Sequence, residues 1–422
     1  MDETGIHHTQ PSKDLKEGFT TGTAASAAAL AALTFLLTGK APDTVLCPLP
    51  PITPYLRRNA QAVKTSLPLR MRFSARDWKK IAISDVFTGY SSYSPSSQSA
   101  KTVATALVIK NGGDDPDATH NARIFVSVAL NLYDATEEKL FPTPPPFGSM
   151  ITFQKGTGVG TVTLPGLPLP PGALAINPFP RAQLRYALLS LWEDYKKGPM
   201  PPTTVTICVP DGESIAKKTF NPRLGIVGGI SILGTQGTVK PFSHEAFTAT
   251  ITASLKQAKA LGLTTLYFST GRRSERLLQK RYQEAPPQAF IQVADFSSFA
   301  LHTAHSLGFS NLIWGCFFGK LVKLAQGLEN TNAKNEPIDF AALASFCQKK
   351  GARCAPLLAK ATTANYVLEC LLKEENGMAI LEAIVEKAAA KARAFAGQTV
   401  FIHLFHLDGY ALLGTDGYEK RS

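Results

Sequence analysis

The chain has 422 residues, more than a single hydrophobic core usually organises, so its length predicts two domains. Hydrophobic residues make up 44% of it and charged residues 18%, a balance that excludes an intrinsically disordered protein. The formal net charge of +12 predicts an acidic partner: a nucleic acid, a membrane surface or a polyanionic small molecule.

The sequence lacks the patterns of a secretory leader, a membrane span and a cysteine-based site. Its first eight residues are polar and acidic, and its longest mostly apolar run, residues 24–37, is shorter than the roughly 20 residues that span a bilayer. The six cysteines include no Cys-x-x-Cys pair, so neither a disulfide framework nor a zinc site is indicated. No basic tail or helix-turn-helix pattern indicates nucleic-acid binding. We therefore expect a soluble cytoplasmic protein that binds neither nucleic acid nor membrane.

The first distinctive segment is a threonine- and glycine-rich turn at residues 18–23, Gly-Phe-Thr-Thr-Gly-Thr, before an alanine-rich helix. Thr21 or Thr23 can cap this helix, and Gly39 suits its C-terminal end. A helix N-terminus directs N–H groups and the positive end of the helix dipole at whatever lies in front of it. The turn therefore predicts either ligand contact or the capping of a buried helix.

Residues 110–120, Lys-Asn-Gly-Gly-Asp-Asp-Pro-Asp-Ala-Thr-His, concentrate three carboxylates and one histidine. Their spacing is not that of an EF-hand, which needs ligands over twelve residues. One interpretation is a tight turn whose carboxylates accept backbone N–H groups. The other is a functional loop that offers Asp115 or His120 as an acid or base. A metal site is the weakest of the three interpretations.

The remainder of the first half reads as a mixture of short strands and helices. The glycines at residues 156, 158 and 160 lie in a strand-rich setting and open no helix, so they do not predict a dinucleotide site. The Gly/Pro-rich residues 198–202 are the best domain boundary, which predicts domains at 1–200 and 201–422. The expected elements are short strands within 44–84, a loop at 90–101, a strand or helix at 102–109, a strand at 122–132 and a helix at 181–196.

Strands alternate with helices of about ten residues in the second half, which predicts a parallel, doubly wound sheet. Ligands of such sheets bind at the carboxyl ends of the strands. This rule singles out Gly271 with Arg272, residues 295–298 and residues 315–320. The expected strands are residues 205–209, 265–269, 289–294, 311–317 and 399–405, and the expected helices include residues 244–262, 274–282 and 299–308.

Residues 221–237, Asn-Pro-Arg-Leu-Gly-Ile-Val-Gly-Gly-Ile-Ser-Ile-Leu-Gly-Thr-Gln-Gly, form the segment that we call the glycine block. Five glycines among aliphatic residues predict two tight turns beside a buried strand. Polar members such as Arg223, Ser231 and Thr235 lie where such turns would present donors to a ligand. A glycine-rich core hairpin is the alternative interpretation. The segment contains no P-loop and no Gly-x-Gly-x-x-Gly pattern.

Together these segments resemble the CbiD family of anaerobic cobalamin biosynthesis. The resemblance covers nearly the whole chain in the right order and is most specific in the glycine block. The chain departs from the family at a few positions: relatives usually have Cys at Ala24, Lys near Leu30, His at Phe317 and Thr-His-Ser at residues 331–333. The matching segments are residues 18–23, 113–120, 158–163 with 175–177, and 221–237, with weaker matches at Gly271 with Glu275 and at 319–325.

The resemblance implies S-adenosylmethionine-dependent methylation of C1 of cobalt-precorrin-5B, a cobalt-containing tetrapyrrole, to give cobalt-precorrin-6A. It implies a two-layer α+β N-terminal domain and a three-layer, Rossmann-like α/β C-terminal domain. The cobalt would be carried by the substrate, and the protein would hold no metal. The protein could also form a homo-oligomer. An anionic tetrapyrrole also suits the charge of +12. The lost histidines leave one alternative: a catalytically diverged relative that binds the tetrapyrrole without methyl transfer.

The resemblance also implies the site residues. Asp115 and His120 are the catalytic candidates, because either could accept the proton that the ring system loses. The candidates for S-adenosylmethionine binding are Gly228, Gly229, Ser231, Gly234, Thr235 and Gly271. The candidates for substrate binding are Thr20, Thr21, Thr23, Asp114, Asp117, Thr119, Arg223 and Lys320.

Overall fold

The computed structural model describes residues 15–50, 53–54, 73–74, 77–89, 103–130, 151–196, 200–332 and 336–415. The chain forms two compact units, one of residues 1–164 and 168–243 and the other of residues 165–167 and 244–422. The boundary expected near residue 200 differs from this division. The strand that follows residue 200, Thr203–Cys208, pairs with residues 123–130 and 151–155 and so belongs to the first unit.

The first unit consists of short strands and two long helices. Its helices are α1 (Thr21–Thr38), α2 (Pro178–Tyr195) and α3 (Gly212–Ala216). Its strands are β1 (Gly18–Phe19), β2 (Thr44–Leu49), β3 (Thr53–Pro54), β4 (Phe73–Ser74), β5 (Asp77–Ala82), β6 (Asp85–Gly89), β7 (Val103–Ile109), β8 (Arg123–Leu130), β9 (Ile151–Lys155), β10 (Gly158–Val159), β11 (Thr161–Val162), β12 (Thr203–Cys208), β13 (Ile226–Val227), β14 (Gly229–Ile230) and β15 (Thr238–Val239).

A five-stranded sheet in the order β6-β7-β8-β12-β9 forms the base of this unit. All neighbours are antiparallel except β12 and β9, which are parallel. Every second residue of β7 is buried, and α1 packs on this side of β7 and β8. Small alanine side chains on α1 allow this close approach, since side chains of a helix and a sheet must interdigitate.

Helix α1 is also the one helix, among the residues that the structure describes, with the length and hydropathy of a membrane span. However, 72% of it is buried within the protein. Its N-terminal alanines contact the sheet and α2, which is the environment of a core helix. Packing therefore accounts for its apolar composition.

The second unit alternates strands and helices. Its strands are β16 (Thr265–Ser269), β17 (Phe290–Gln292), β18 (Asn311–Phe317), β19 (Val400–Phe405) and β20 (Ala411–Gly414). Its helices are α4 (His244–Ala260), α5 (Arg272–Arg281), α6 (Ser297–Ser306), α7 (Phe318–Ala325), α8 (Phe340–Lys349), α9 (Ala355–Leu358), α10 (Ala364–Leu372) and α11 (Gly377–Ala396), with a short 3₁₀ turn at Pro287–Ala289.

These strands form one sheet in the order β17-β16-β18-β19-β20. The first four are parallel, in agreement with the alternating sequence pattern, whereas the edge strand β20 is antiparallel and had no signal in the sequence. Leu266 and Phe268 of β16 pack into a core with α4, α6, α7 and α11. Tyr267, which points to the opposite face, packs with Leu278 of α5. Helices therefore cover both faces of the sheet.

Candidate functional site

The four segments that match the family lie together in the first unit. Strand β1 pairs antiparallel with β15, which places the threonine turn beside the end of the glycine block. Phe19 N–H donates to Asn111 O at 2.8 Å, so residues 110–120, which we call the aspartate loop, adjoin the same strand. Strand β10 pairs parallel with β14, and Asn177 N–H donates to Ile232 O at 2.9 Å. Long-range backbone pairing thus gathers segments that are far apart in the sequence.

Several glycines of this region are required by the chain's own packing. A Cβ atom on Gly158 would lie 1.8 Å from Val209 O, and one on Gly229 would lie 2.1 Å from Gly158 O. A Cβ atom on Gly234 would lie 2.2 Å from Thr20 Oγ1. The backbone at Gly158 and Gly229, and the Thr20 side chain at Gly234, approach too closely to leave room for a side chain. Interlocking of the chain therefore accounts for Gly229 and Gly234, which the resemblance had assigned to S-adenosylmethionine binding.

The other members of the glycine block differ in exposure. Ser231 is buried and its hydroxyl donates to Asn221 Oδ1 at 3.2 Å. Gly228 and Thr235 are exposed, and a Cβ atom on Gly228 would have no atom within 4 Å. Gly228 has a φ of +79°, so its glycine is still needed for the turn. In this block Gly228 and Thr235 are the predicted cofactor residues with space beside them.

The three threonines of the turn are buried, and their hydroxyls bind the protein's own backbone. Thr20 Oγ1 accepts from Thr23 N–H at 3.2 Å and caps α1. Thr21 Oγ1 accepts from Leu233 N–H at 2.9 Å. Thr23 Oγ1 donates to Gly237 O at 2.8 Å. These threonines were predicted to contact the substrate, but none of their hydroxyls is exposed.

The amide groups in the first turn of α1 are also engaged. Gly22 N–H donates to Leu233 O at 3.0 Å, and Thr20 N–H donates to Gly237 O at 3.0 Å. The N-terminus of α1 is thus bound by the glycine block. Of the two interpretations of this turn, the contacts agree with the capping of a buried helix.

The carboxylates of the aspartate loop bind backbone and lysine groups of the same unit. Asp114 Oδ2 accepts from Lys16 N–H at 2.8 Å. Asp117 pairs with the buried ammonium group of Lys110 and accepts from the N–H and the hydroxyl of Thr119, both at 2.7 Å. Burial alone would raise the pKa of Asp117, but the Lys110 charge and these hydrogen bonds lower it below its ordinary value. Asp114, Asp117 and Thr119 therefore have structural partners.

The two catalytic candidates occupy the same loop. Asp115 Oδ1 accepts from Phe242 N–H at 2.9 Å. His120 Nδ1 accepts from Gly112 N–H at 3.0 Å. A backbone N–H can only donate, so the neutral ring of His120 carries its proton on Nε2. His120 is exposed, and in this tautomer its Nε2 edge is a hydrogen-bond donor.

The remaining predicted residues are distributed over both units. Arg223 of the first unit is half-buried, with its guanidinium 5.8 Å from the centre of the Phe220 ring. Lys320 of the second unit pairs with Asp295, and its Nζ donates to Thr331 O at 2.8 Å. Gly271 precedes α5 in an extended conformation, where a Cβ atom would have no atom within 4 Å.

Two residues near the aspartate loop had no signal in the sequence. Lys110 is only 1% exposed although it is charged, and it anchors Asp117. Phe242 has a φ of +56° and is 67% exposed. A left-handed conformation at a phenylalanine follows no residue preference, so only the tertiary structure reveals it.

The described residues contain no group of three or more His, Cys, Asp or Glu side chains that could hold a metal ion. Burial raises the pKa of the Cys316 thiol to about 12, and that of Cys47 rises further for the same reason. Thiols that stay protonated are poor nucleophiles and poor ligands. Neither of these two cysteines therefore offers thiolate chemistry.

Comparison with known proteins agrees with the motifs. A sequence model of the CbiD family matches residues 8–66 and 79–241. The cobalt-precorrin-5B C(1)-methyltransferase of Nitratidesulfovibrio vulgaris is 44% identical over 404 residues, which cover 94% of this chain and 92% of the relative. The enzyme of the same name from Geobacillus thermodenitrificans is 37% identical, with 97% of each chain covered.

Among solved structures, the chain is similar to the cobalamin biosynthesis protein (cbiD) of Archaeoglobus fulgidus. The identity is 24% and the TM-score is 0.33, with 74% of this chain and 79% of that chain covered. The family model spans more than half of the chain, and curated relatives of up to 44% identity cover nearly all of it. The chain therefore belongs to the CbiD family.

Proposed function

We propose that this protein is a methyltransferase that methylates C1 of cobalt-precorrin-5B. The observation that carries the proposal is the 44% identity, over 94% of the chain, to a relative named for this reaction. The net charge of +12 supports it, because a tetrapyrrole with several carboxylate side chains is a polyanion. The cobalt ion belongs to the substrate.

S-adenosylmethionine is the proposed methyl donor, because its sulfonium makes a methyl group electrophilic enough for attack by a ring carbon. Of the residues predicted to bind S-adenosylmethionine, Gly271 has the position that best suits a ligand site. It follows β16, which with β18 flanks the point where the strand order of the parallel sheet reverses, and ligands bind at such points. Its φ of 169° suits any residue, and a Cβ atom would meet open space. Neither the backbone conformation nor packing within the protein therefore requires glycine at this position.

A pair of glycine variants tests this placement of the donor. Gly271→Val should leave the melting temperature unchanged, because its Cβ meets open space, and should weaken S-adenosylhomocysteine binding about tenfold or more. Gly228→Ala tests the exposed turn of the first unit; because its φ is +79°, this variant should also lose some stability, so its binding is measured well below its melting temperature. Calorimetry measures both affinities. Weaker binding by Gly228→Ala alone would assign the donor to the glycine block, and unchanged binding by both variants contradicts both placements.

The residues of the aspartate loop are proposed to orient the tetrapyrrole. Methyl transfer from a sulfonium depends on in-line positioning of donor and acceptor carbon more than on acid–base chemistry. His120 suits this role through its exposed Nε2–H, and Arg223 of the same unit supplies positive charge. Lys320, whose ammonium group pairs with Asp295 within the second unit, stays a predicted substrate residue. Asp115 is the better candidate for accepting the proton that leaves the ring, because His120 would first have to lose its bond from Gly112 N–H.

The proposal includes the finer architecture and the location of the protein. The first unit is taken as a two-layer α+β domain and the second as a three-layer, Rossmann-like domain, in a cytoplasmic enzyme. The sheet order β17-β16-β18-β19-β20, with helices on both faces, supports the Rossmann-like assignment.

The direct test is incubation of the purified protein with cobalt-precorrin-5B and S-adenosylmethionine. We expect a product that is heavier by one methylene, with the new methyl group at C1 by nuclear magnetic resonance, and an equal amount of S-adenosylhomocysteine. Binding of the tetrapyrrole without release of S-adenosylhomocysteine would instead identify a diverged, non-catalytic relative.

A further inference from the structure

Phe242 combines two features that cost stability. Its φ of +56° lies in the left-handed region, which is unfavourable for a bulky side chain by about 1–2 kcal/mol. The residue is 67% exposed, so burial of apolar surface offsets little of this strain. Strained residues concentrate at functional sites, where the surrounding structure holds them in place. Phe242 is therefore not explained by packing.

Asp115 holds Phe242 in this conformation. Its Oδ1 accepts the Phe242 N–H at 2.9 Å, although the two residues are separated by 127 positions in the sequence. Hydrogen bonds to a charged group contribute about 1.5–3 kcal/mol, which is enough to offset the left-handed conformation. The carboxylate thus holds the stretch of backbone from which the exposed Phe242 side chain extends.

The surroundings of Phe242 combine the aromatic ring with polar and charged groups. Gly18 and Val239 are partners in the β1/β15 ladder, so Lys16 and Lys240 leave the same end of it, and both lysines are exposed. Phe242 follows Lys240 by two residues. Two acidic residues lie close to these lysines: Glu17 follows Lys16, and Asp114 accepts the Lys16 N–H. The local charge is therefore mixed and does not by itself select an anion. The distinctive element is the exposed aromatic face.

We propose that Phe242 is the surface against which the conjugated macrocycle of the tetrapyrrole stacks, and that Asp115 is the positioning residue that holds it. This inference rests on the proposed function. A flat conjugated ring offers a face to the Phe242 side chain, and its peripheral carboxylates reach the two lysines and the Nε2–H of His120. Aromatic pairs contribute about 0.5–1.5 kcal/mol beyond the burial of their area.

The first test compares Phe242→Gly with Phe242→Tyr and with Phe179→Ala, which removes another exposed phenylalanine of the same unit. Phe242→Gly should raise the KM for cobalt-precorrin-5B about tenfold with kcat nearly unchanged. Its melting temperature should be unchanged or higher, because glycine relieves the left-handed strain. Phe242→Tyr and Phe179→Ala should keep the wild-type KM.

The second test separates positioning by Asp115 from proton transfer. Asp115→Asn keeps an oxygen that can accept the Phe242 N–H, so its KM should stay near that of the wild type, whatever its kcat. Asp115→Ala removes the acceptor and should raise KM as Phe242→Gly does. The double variant Asp115→Ala/Phe242→Gly should show no further increase, because both changes remove the same contact.

A dissociation constant measured from the visible absorbance of cobalt-precorrin-5B makes the test independent of turnover. Wild-type affinity in Phe242→Gly, or a lowered melting temperature with unchanged affinity, overturns the stacking proposal. A wild-type protein that binds the tetrapyrrole but does not methylate it contradicts the proposed function instead. In that case, weaker binding by Phe242→Gly still supports the stacking surface.

Discussion

At the scale of single residues, the polar side chains of the aspartate loop divide into two groups. Asp114 and Asp117 bind Lys16 and Lys110 and so hold the loop to the unit. Asp115 and His120 each use one atom for a backbone bond and keep the rest of the side chain for other contacts. All four side chains thus cap a backbone N–H, and the functional interpretation of this loop depends on the atoms that Asp115 and His120 leave over.

The depressed pKa of Asp117 makes stability depend on pH. A carboxyl whose pKa is lower in the folded state stabilises the protein above its ordinary pKa of 3.8, and this contribution is lost as the pH falls through the lower folded value. Below about pH 4 we expect the free energy of unfolding of the wild type to fall more steeply than that of Asp117→Asn. Urea denaturation at several pH values measures this, and equal slopes would contradict it.

Two departures from the family have partners in the second unit. Asn332, where relatives usually have histidine, donates its side-chain amide to Asp295 Oδ2 at 3.2 Å. Phe317, at the position of another histidine, lies with its ring centre 5.3 Å from the Arg273 guanidinium. The replacements are thus accommodated in the fold. They do not by themselves indicate a chain that has lost methyl transfer.

At the scale of elements, the short strands of the first unit are held together through glycine. Strand β10 approaches β14 and the end of β12 so closely that Gly158 has no room for a side chain. The glycines at 156, 158 and 160 therefore act as packing residues between strands. This explains why their spacing resembles a phosphate-binding loop without opening a helix.

Gly158 and Gly39 form a matched pair that tests this explanation. Their φ values are +73° and +70°, but a Cβ atom would lie 1.8 Å from Val209 O at Gly158 and would meet nothing within 4 Å at Gly39. Gly39→Ala should cost about 1–2 kcal/mol of conformational strain. Gly158→Ala should cost about 1–3 kcal/mol more from overlap. Equal losses of stability in chemical denaturation would show that packing does not require this glycine.

At the scale of the whole molecule, net charge distinguishes the two reactants. The protein carries +12, the tetrapyrrole is a polyanion and S-adenosylmethionine, the proposed methyl donor, is a cation. Attraction between opposite charges weakens as salt shortens the Debye length from about 10 Å at 0.1 M to about 3 Å at 1 M.

We therefore expect the KM for cobalt-precorrin-5B to rise with ionic strength, while the KM for S-adenosylmethionine stays constant or falls. Initial rates over a salt series measure both constants on the same preparation. A tetrapyrrole KM that does not respond to salt would show that the net charge has no part in recognition.

The sequence by itself determined the family and the four parallel strands of the second unit, but not its antiparallel edge strand β20. Motifs such as the glycine block are local strings, and the alternation of strands with helices is a local periodicity, so both are readable without coordinates. Strand Asn311–Phe317, for example, has the predicted bounds. The sequence also predicted α1 and its C-terminal Gly39, because an alanine-rich run between threonines and a glycine is a local signal, but the residue that caps the helix is Thr20 and not Thr21 or Thr23.

Only the tertiary structure decided the domain boundary and the partners of the site residues. Strand β12 joins the first unit because it pairs with β8 and β9, upstream of the glycine- and proline-rich segment that looked like a linker. The hydroxyl of Thr21 meets Leu233, and the carboxylate of Asp115 meets Phe242. Such contacts join residues more than a hundred positions apart, and no local pattern encodes which distant backbone group a side chain will reach.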